Sequence, residues 1–281
     1  MRAVTPKSMV LDLLRVAPRA RAVPIRGLVE LGALFGFHGN AVRVAVARLM
    51  SAGLLESDER GSYRLTERAT PVSRIVDEWR LGEARRREWT GDWLAIWQPR
   101  RAPRADRRRS QRAMQRLGFA EGLDGMWVRP DNLAASRDEL ERRLGDLGLG
   151  RGSELFTARE PSDALTARWR TLWQTDDLLA GYESALRDLA RSAARVEKMP
   201  RDAVLVETFM LGGDAIRVLA TDPLLPEQIM TGTERHALTR AMIEYDELGR
   251  AAWAQRLADA PLEQAPSHVF PVGQPIGQPN A

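Results

Sequence analysis

From about residue 6 to residue 68 the apolar positions form three short helical repeats followed by two brief extended runs. MVLDLLRV opens with Ser8 as a cap, PIRGLVELGALFG has Pro24 in its first turn, and AVRVAVARLMSAG is capped by Asn40 and stops at Gly53. LLES and SYRLT then read as strands, and the Asp, Arg and Gly of DERG between them suit a tight hairpin. Helix, helix, helix, hairpin is the order of a winged helix-turn-helix.

Further along, DWLAIWQ alternates like a half-buried strand, and RRRSQRAMQRLGF reads as a helix closed by Gly118. MWVRP, SRDELERRLGDLGL and SELFTA add a strand, a helix and a strand, so β-α-β-α-β predicts a small ferredoxin-like sandwich. The stretches ALTARWRTLWQTDDLLAGYESALRDLARSAARV, AVLVETFMLGGDAIRVLATDP and GTERHALTRAMIEYDELGRAAWAQRL carry helical stripes throughout. The expected fold class is therefore α+β in three domains, 1–68, 69–160 and 161–260. Residues 261–281 are too rich in Pro, Gly and Gln to pack as an element and are expected to form a flexible tail.

Composition narrows the chemistry. At 281 residues and 44% hydrophobic the chain has ample material for buried cores, and no run of about 18 apolar residues spans a bilayer. Zero cysteines exclude disulfides, thiolate metal sites and cysteine nucleophiles. The N-terminal apolar stretch is short and interrupted by Asp12, which is not a signal-peptide layout, so a cytoplasmic location is expected. Net charge is only +4, but residues 1–68 hold 11 basic and 6 acidic side chains whereas 201–281 hold 6 and 11. Such asymmetry points to a polyanion-facing front.

The third helix carries the sharpest signal. At 100° per residue, Val42, Val46, Leu49 and Gly53 share one buried stripe, while Asn40, Val44, Ala47 and Ser51 point away, flanked by Arg43 and Arg48. A helix entering a major groove about 12 Å wide needs small residues for close approach and a few long donors for base edges and phosphates. Asn40, Arg43 and Arg48 are such donors. Arg60 at the hairpin tip and Arg64 on its strand suit phosphates or a neighbouring minor groove, and His38 belongs to the turn before the helix, within reach of the DNA backbone. An ordinary charged helix face is the alternative reading of the same pattern.

A second basic segment, residues 98–118, sets eight arginines against the single acid Asp106. Arginine forks match phosphate oxygens, so this run suits DNA phosphates, a nucleotide-like ligand or plain solvation. Trp169 and Trp173, four apart, read as core packing or as the border of an aromatic pocket.

Catalytic constellations are scarce. The three histidines, His38, His236 and His268, sit in unrelated contexts, and no metalloprotease, nucleophile-elbow, phosphate-loop or dinucleotide motif occurs. Asp176 and Asp177 are neighbours on a helix and suit its N-terminus better than a catalytic pair. No catalytic residue, metal ligand or cofactor is expected.

The segment GFHGNAVRVAVARLMSAGLLES followed by GSYRLTERA, then LGF, DGMWVRP, RWRTLWQTDDLLAGYESAL and IRVLATDPLLPEQIM, resembles the PaaX family of bacterial regulators, repressors of phenylacetic-acid degradation genes, from about residue 6 to 255. The sequence departs from the family pattern at Ala69, Arg116 and MTGTERHAL. The resemblance implies a homodimeric repressor on a palindromic operator, released by an aryl-acyl-CoA such as phenylacetyl-CoA. It puts Asn40, Arg43, Ala47, Arg48 and Ser51 in the reading role, with Arg60 and Arg64 in the wing. Charge density and aromatic spacing suggest Arg101, Arg104 or Arg108 for the coenzyme A phosphates and Trp169 with Trp173 for the acyl group. The family's central domain also resembles a CRISPR-associated ferredoxin-like nuclease subunit, but the first strand here ends in Gln98 where that nuclease needs aspartate. Metal-dependent nuclease and non-catalytic interaction module remain the competing classes.

Overall fold

The periodic stretches fold as an α+β architecture with two small antiparallel sheets. The structure is a computed structural model that describes residues 4–16, 22–58, 61–99, 103–123 and 125–258. Its elements are α1 Pro6–Val16, β1 Val23–Pro24, α2 Ile25–Leu34, α3 Gly39–Ser51, β2 Leu55–Ser57, β3 Ser62–Leu65 and α4 Thr70–Asp77. Then come β4 Trp93–Trp97, α5 Arg104–Arg116, β5 Ala120–Leu123, β6 Met126–Pro130, α6 Arg137–Asp146 and β7 Glu154–Ala158. Four helices follow, α7 Asp163–Arg170, α8 Thr175–Ala193, α9 Arg201–Ala220 and α10 Thr233–Ala258. Two compact units share them. One holds the described residues up to Thr70, Ser192–Gly212 and those from Tyr245 on; the other holds Pro71–Arg191 and Gly213–Glu244. Among the described residues no helix is long and apolar enough to cross a membrane.

In the first unit α1 starts earlier than its apolar pattern suggests. Thr5, not Ser8, is the cap: Ser8 N donates to Thr5 Oγ1 at 3.1 Å while Thr5 N donates to Ser8 Oγ at 3.0 Å, a reciprocal capping box. Met9, Val10, Leu14, Leu28, Val42, Val46, Leu49 and Leu55 close one core among α1, α2, α3 and β2. Gly32 allows that closure, because a Cβ there would lie 2.6 Å from Val42 Cγ2. The sheet order is β1-β3-β2, and the short strand β1 pairs with β3 through Val23↔Tyr63 and Pro24↔Ser62. Pattern reading misses β1 because two residues show no alternation. Elsewhere in this unit Glu207 accepts from Ser192 Oγ at 2.6 Å and from Arg195 at 2.9 and 2.7 Å.

The second unit is built on a sheet in the order β5-β6-β4-β7, every neighbour antiparallel. Strand β5, AEGL, lacks the alternation of its neighbours and adds a strand to the expected order, giving β-α-β-β-α-β. Alternation along β4 divides the unit. Leu94 and Ile96 pack with Met114, Leu117, Leu140 and Leu144 on the side of α5 and α6. Trp93 and Ala95 pack with Trp89, Val128 and Trp169 on the side of α7. The helical stretch ALTARWRTLWQTDDLL is divided between Arg170 and Thr175; Asp176 and Asp177 fall in the first turn of α8, the N-terminal position expected of them, where carboxylates favour the helix dipole.

Buried polar side chains join the segments of this unit. Arg129 on β6 is 1% exposed. It donates through Nη1 to Leu117 O, through Nη2 to Asn132 Oδ1 at 3.1 Å and Pro223 O at 3.3 Å, and through Nε to Pro130 O at 3.1 Å. Burial draws its guanidinium down from its ordinary value to about 9, against the opposing charges of Asp131 and Asp222, so it remains a cation at neutral pH. Asn132 Nδ2 donates to Leu224 O at 2.7 Å. Asp222 receives Tyr182 Oη at 2.6 Å and Leu224 N at 2.6 Å, which holds Leu224 at a φ of 55°. Arg235 grips Glu83 through Nε at 2.7 Å and Nη2 at 3.2 Å.

Replacing Arg129 with Met leaves the buried oxygens of Leu117, Asn132 and Pro223 without this donor. Each unpaired buried acceptor costs about 1–3 kcal/mol, so a loss on the order of 3 kcal/mol is expected in urea unfolding. A second expectation concerns acid. Burial alone would raise Glu83, but its bond to Arg235 and the charges of Arg235 and Arg86 outweigh burial and hold it below 4.5. Its stabilisation is therefore complete above that pH and lost as pH falls through the lower folded value. Glu83→Gln should unfold more easily at pH 7 and show a shallower acid limb in urea titrations.

Candidate nucleic-acid interface

Helix α3 presents the face that its periodicity predicts. Val42, Ala45, Val46 and Leu49 are buried. Asn40, Arg43, Val44, Ala47, Arg48 and Ser51 are all exposed, Val44 at 40%. The helix begins one residue before Asn40, with His38 as its N-cap; the His38 side chain makes no capping bond and is exposed. Asn40 is therefore not the cap. It is exposed in the first turn, one residue after Gly39 at the first helical position. The far end closes as a Schellman turn: Gly53, at a φ of 68°, donates to Met50 O at 2.8 Å, and Leu54 N donates to Leu49 O at 3.0 Å.

No acidic residue lies on α3, and Arg43 and Arg48 form no ion pair among the described residues. Arg43 folds back toward the start of the helix, so that a Cβ on Gly39 would lie 3.1 Å from Arg43 Nη1 and 3.0 Å from Val29 Cγ1. The Ser51 hydroxyl donates to Ala47 O at 3.1 Å, leaving its oxygen as an acceptor at the surface. What results is a narrow, small-residue ridge flanked by two uncompensated guanidinium groups.

The hairpin after α3 is closed by Asp58, whose Oδ1 accepts Ser62 N at 2.8 Å, and by Gly61 at a φ of 73°. Arg60 lies outside the described residues. Arg64 is exposed on β3 but opposite Glu56, and its Nε meets Glu56 Oε1 at 2.5 Å. The sequence pattern does not single out Glu56; only the strand register shows that Arg64 shares its charge with a carboxylate.

The remaining residues singled out by charge and aromatic spacing lie in the second unit. Arg104 and Arg108 are exposed on α5, and Arg101 lies outside the described residues. Trp169 is buried on α7, edge to face with Trp93 at 5.2 Å. Trp173 stacks at 6.3 Å on Trp93 and donates to Gly118 O at 3.3 Å. Because α5 covers the Leu94 and Ile96 face and Trp169 the Trp93 face, the structure does not bring Arg104 and Arg108 together with Trp169. Gln98 follows β4 as a buried residue, and among the described residues no three His, Cys, Asp or Glu side chains gather where they could hold a metal.

If the exposed residues of α3 serve a partner and its buried ones the fold, stability separates them. Leu49→Ala should cost about 2–5 kcal/mol in chemical unfolding. Arg43→Ala and Arg48→Ala should each change it by less than about 0.5 kcal/mol.

Comparison with known proteins bears on this segment. One similar solved structure is of an uncharacterized protein, Rv0674, from Mycobacterium tuberculosis, at 26% identity and a TM-score of 0.58, covering 91% of this chain and 99% of that one. No curated protein matches the chain. The family model described as PaaX-like protein matches residues 5–69, the stretch from the α1 cap through α3 and its hairpin. Over those residues the chain is similar to PaaX-like proteins.

Proposed function

We propose that this protein is a DNA-binding transcriptional regulator whose α3 enters the major groove as the recognition helix of a winged helix-turn-helix. The observation that carries the reading is the face of α3, where Asn40, Arg43, Val44, Ala47, Arg48 and Ser51 stand exposed with no acid among them, inside the PaaX-like segment. Small side chains let the backbone approach the groove floor; Arg43 is the donor for a base edge, and Arg48 and His38 serve the phosphates. The β2–β3 hairpin is the wing, with Arg60 at its tip and Arg64 on its strand.

The domain reading places the winged module at 1–68, a ferredoxin-like module at 69–160 and a helical module at 161–260. The β-α-β-β-α-β order and the antiparallel sheet β5-β6-β4-β7 support the second of these. The PaaX resemblance supplies the rest of the proposal. The protein is cytoplasmic and acts as a homodimer on two half-sites, about 34 Å apart if one helical turn separates them. It represses genes of aromatic-acid breakdown and leaves its operator when an aryl-acyl-CoA such as phenylacetyl-CoA binds. A ligand preferring another dimer geometry weakens DNA binding by its differential affinity, typically about 1–3 kcal/mol.

Fluorescence anisotropy on the DNA upstream of the protein's own gene, against scrambled DNA and with or without phenylacetyl-CoA, tests each part. Preference for the upstream DNA, lost on adding the thioester, is the expected result; equal affinity for scrambled DNA overturns the regulator, and indifference to the thioester overturns the effector. Arg43→Ala should cost about 1–3 kcal/mol of binding and relax sequence preference at one base position.

A further inference from the structure

Two helices cover the same face of the second unit's sheet, and they manage charge in opposite ways. On α6 the surface charges are laced together: Arg137 with Glu141 at 3.1 Å, Arg142 with Glu139 and with Asp146 at 3.2 Å, Arg143 with Glu139 at 2.6 Å and Glu78 at 2.8 Å. That is how an exposed helix face is normally satisfied in water. Along one side of α5 the pattern is absent. Ser110, Ala113 and Met114 face the core, and at 100° per residue Arg104, Arg108, Arg112 and Arg116 form one row on the opposite side, all exposed. Gln111 and Gln115 share that side and no carboxylate does. Asp106, the helix's only acid, lies off the row beside Arg109 at 3.6 Å. The row repels itself: burial, and after it the charge of Arg112, pulls the Arg116 guanidinium below its ordinary value.

We infer that this row is a second contact surface for duplex DNA, gripping the phosphodiester backbone without reading sequence. Successive arginines stand about 6 Å apart and the row spans about 18 Å. One strand of a duplex presents a phosphate about every 3.4 Å of axis, so a row of that length passes about five of them. Guanidinium forks and neutral amides are the donors such a backbone takes, and its negative charge relieves the repulsion along the row. The inference deepens the regulator reading and rests on it for the kind of partner. It assigns Arg104 and Arg108 to DNA rather than to a small phosphorylated ligand.

The triple variant Arg104→Gln, Arg108→Gln, Arg112→Gln of the full chain removes three charges from an exposed face, and an unchanged thermal midpoint shows that its fold is kept. Anisotropy is measured between 50 and 200 mM salt on upstream and scrambled duplexes, with coenzyme A titrated separately. The expected result is weaker binding to both duplexes by the same factor, an unchanged ratio between them, and a slope of log affinity against log salt shallower by about 2 to 3. An unchanged slope overturns the inference, as does a variant that loses only coenzyme A affinity, which would give the row to a small ligand. Wild-type protein that binds both duplexes equally, with the slope still falling in the variant, would leave this inference standing while the sequence-specific regulator fails. Wild-type protein that binds neither duplex overturns both.

Discussion

The guanidinium of Arg129 holds the second unit in register. Its donors meet the end of α5 at Leu117, the loop after β6 at Asn132 and the segment after α9 at Pro223. A cation so deeply buried is costly to desolvate, and no carboxylate touches it directly; carbonyl oxygens, the Asn132 amide oxygen and the Phe119 ring, 5.9 Å away, offset the cost. Three stretches distant in the chain must therefore converge before the ion is satisfied. Asn132 extends the arrangement to Leu224, whose left-handed backbone is in turn held by Asp222. Gly118 belongs to the same constraint, since a Cβ there would lie 2.8 Å from Arg129 Nη1 and from Pro223 O.

Elsewhere the protein sorts its arginines by whether they are compensated. Arg64 is matched by Glu56, Arg235 by Glu83, Arg195 by Glu207, and those of α6 by their own helix neighbours. Arg43 and Arg48 on α3 and the row on α5 form no ion pair among the described residues. A net charge of +4 conceals these two faces, whose six arginines alone exceed it. Compensated pairs shape the fold; uncompensated faces are where a polyanion gains most.

The α3 ridge was legible because its information is local. Helical periodicity with small residues on one side and Val42, Val46 and Leu49 on the other assigns both faces without knowledge of the partner elements, and the structure buries and exposes them accordingly. The break between α7 and α8 was only partly legible: Asp176 and Asp177 suit a helix N-terminus, but the apolar stripe runs on across RWRTLWQTDD, and only the structure shows Trp169 and Trp173, on either side of the break, both against Trp93. Strands β1 and β5 were missed because such short, non-alternating segments become strands only when a longer neighbour offers hydrogen bonds.

What the sequence by itself determined is therefore the one-dimensional part: which helix faces are apolar, where arginines crowd, where a hairpin turns, and a similarity to PaaX-like proteins over residues 5–69. Tertiary structure alone decided which charges meet and which do not. Nothing in the order of residues shows that Glu56 lies beside Arg64, that Arg129 is buried among carbonyls, or that a sheet separates the α5 arginines from Trp169 of α7. Periodicity follows from local backbone geometry, whereas pairing depends on register and on which sheet face each helix covers, and those emerge only when distant segments close a common core.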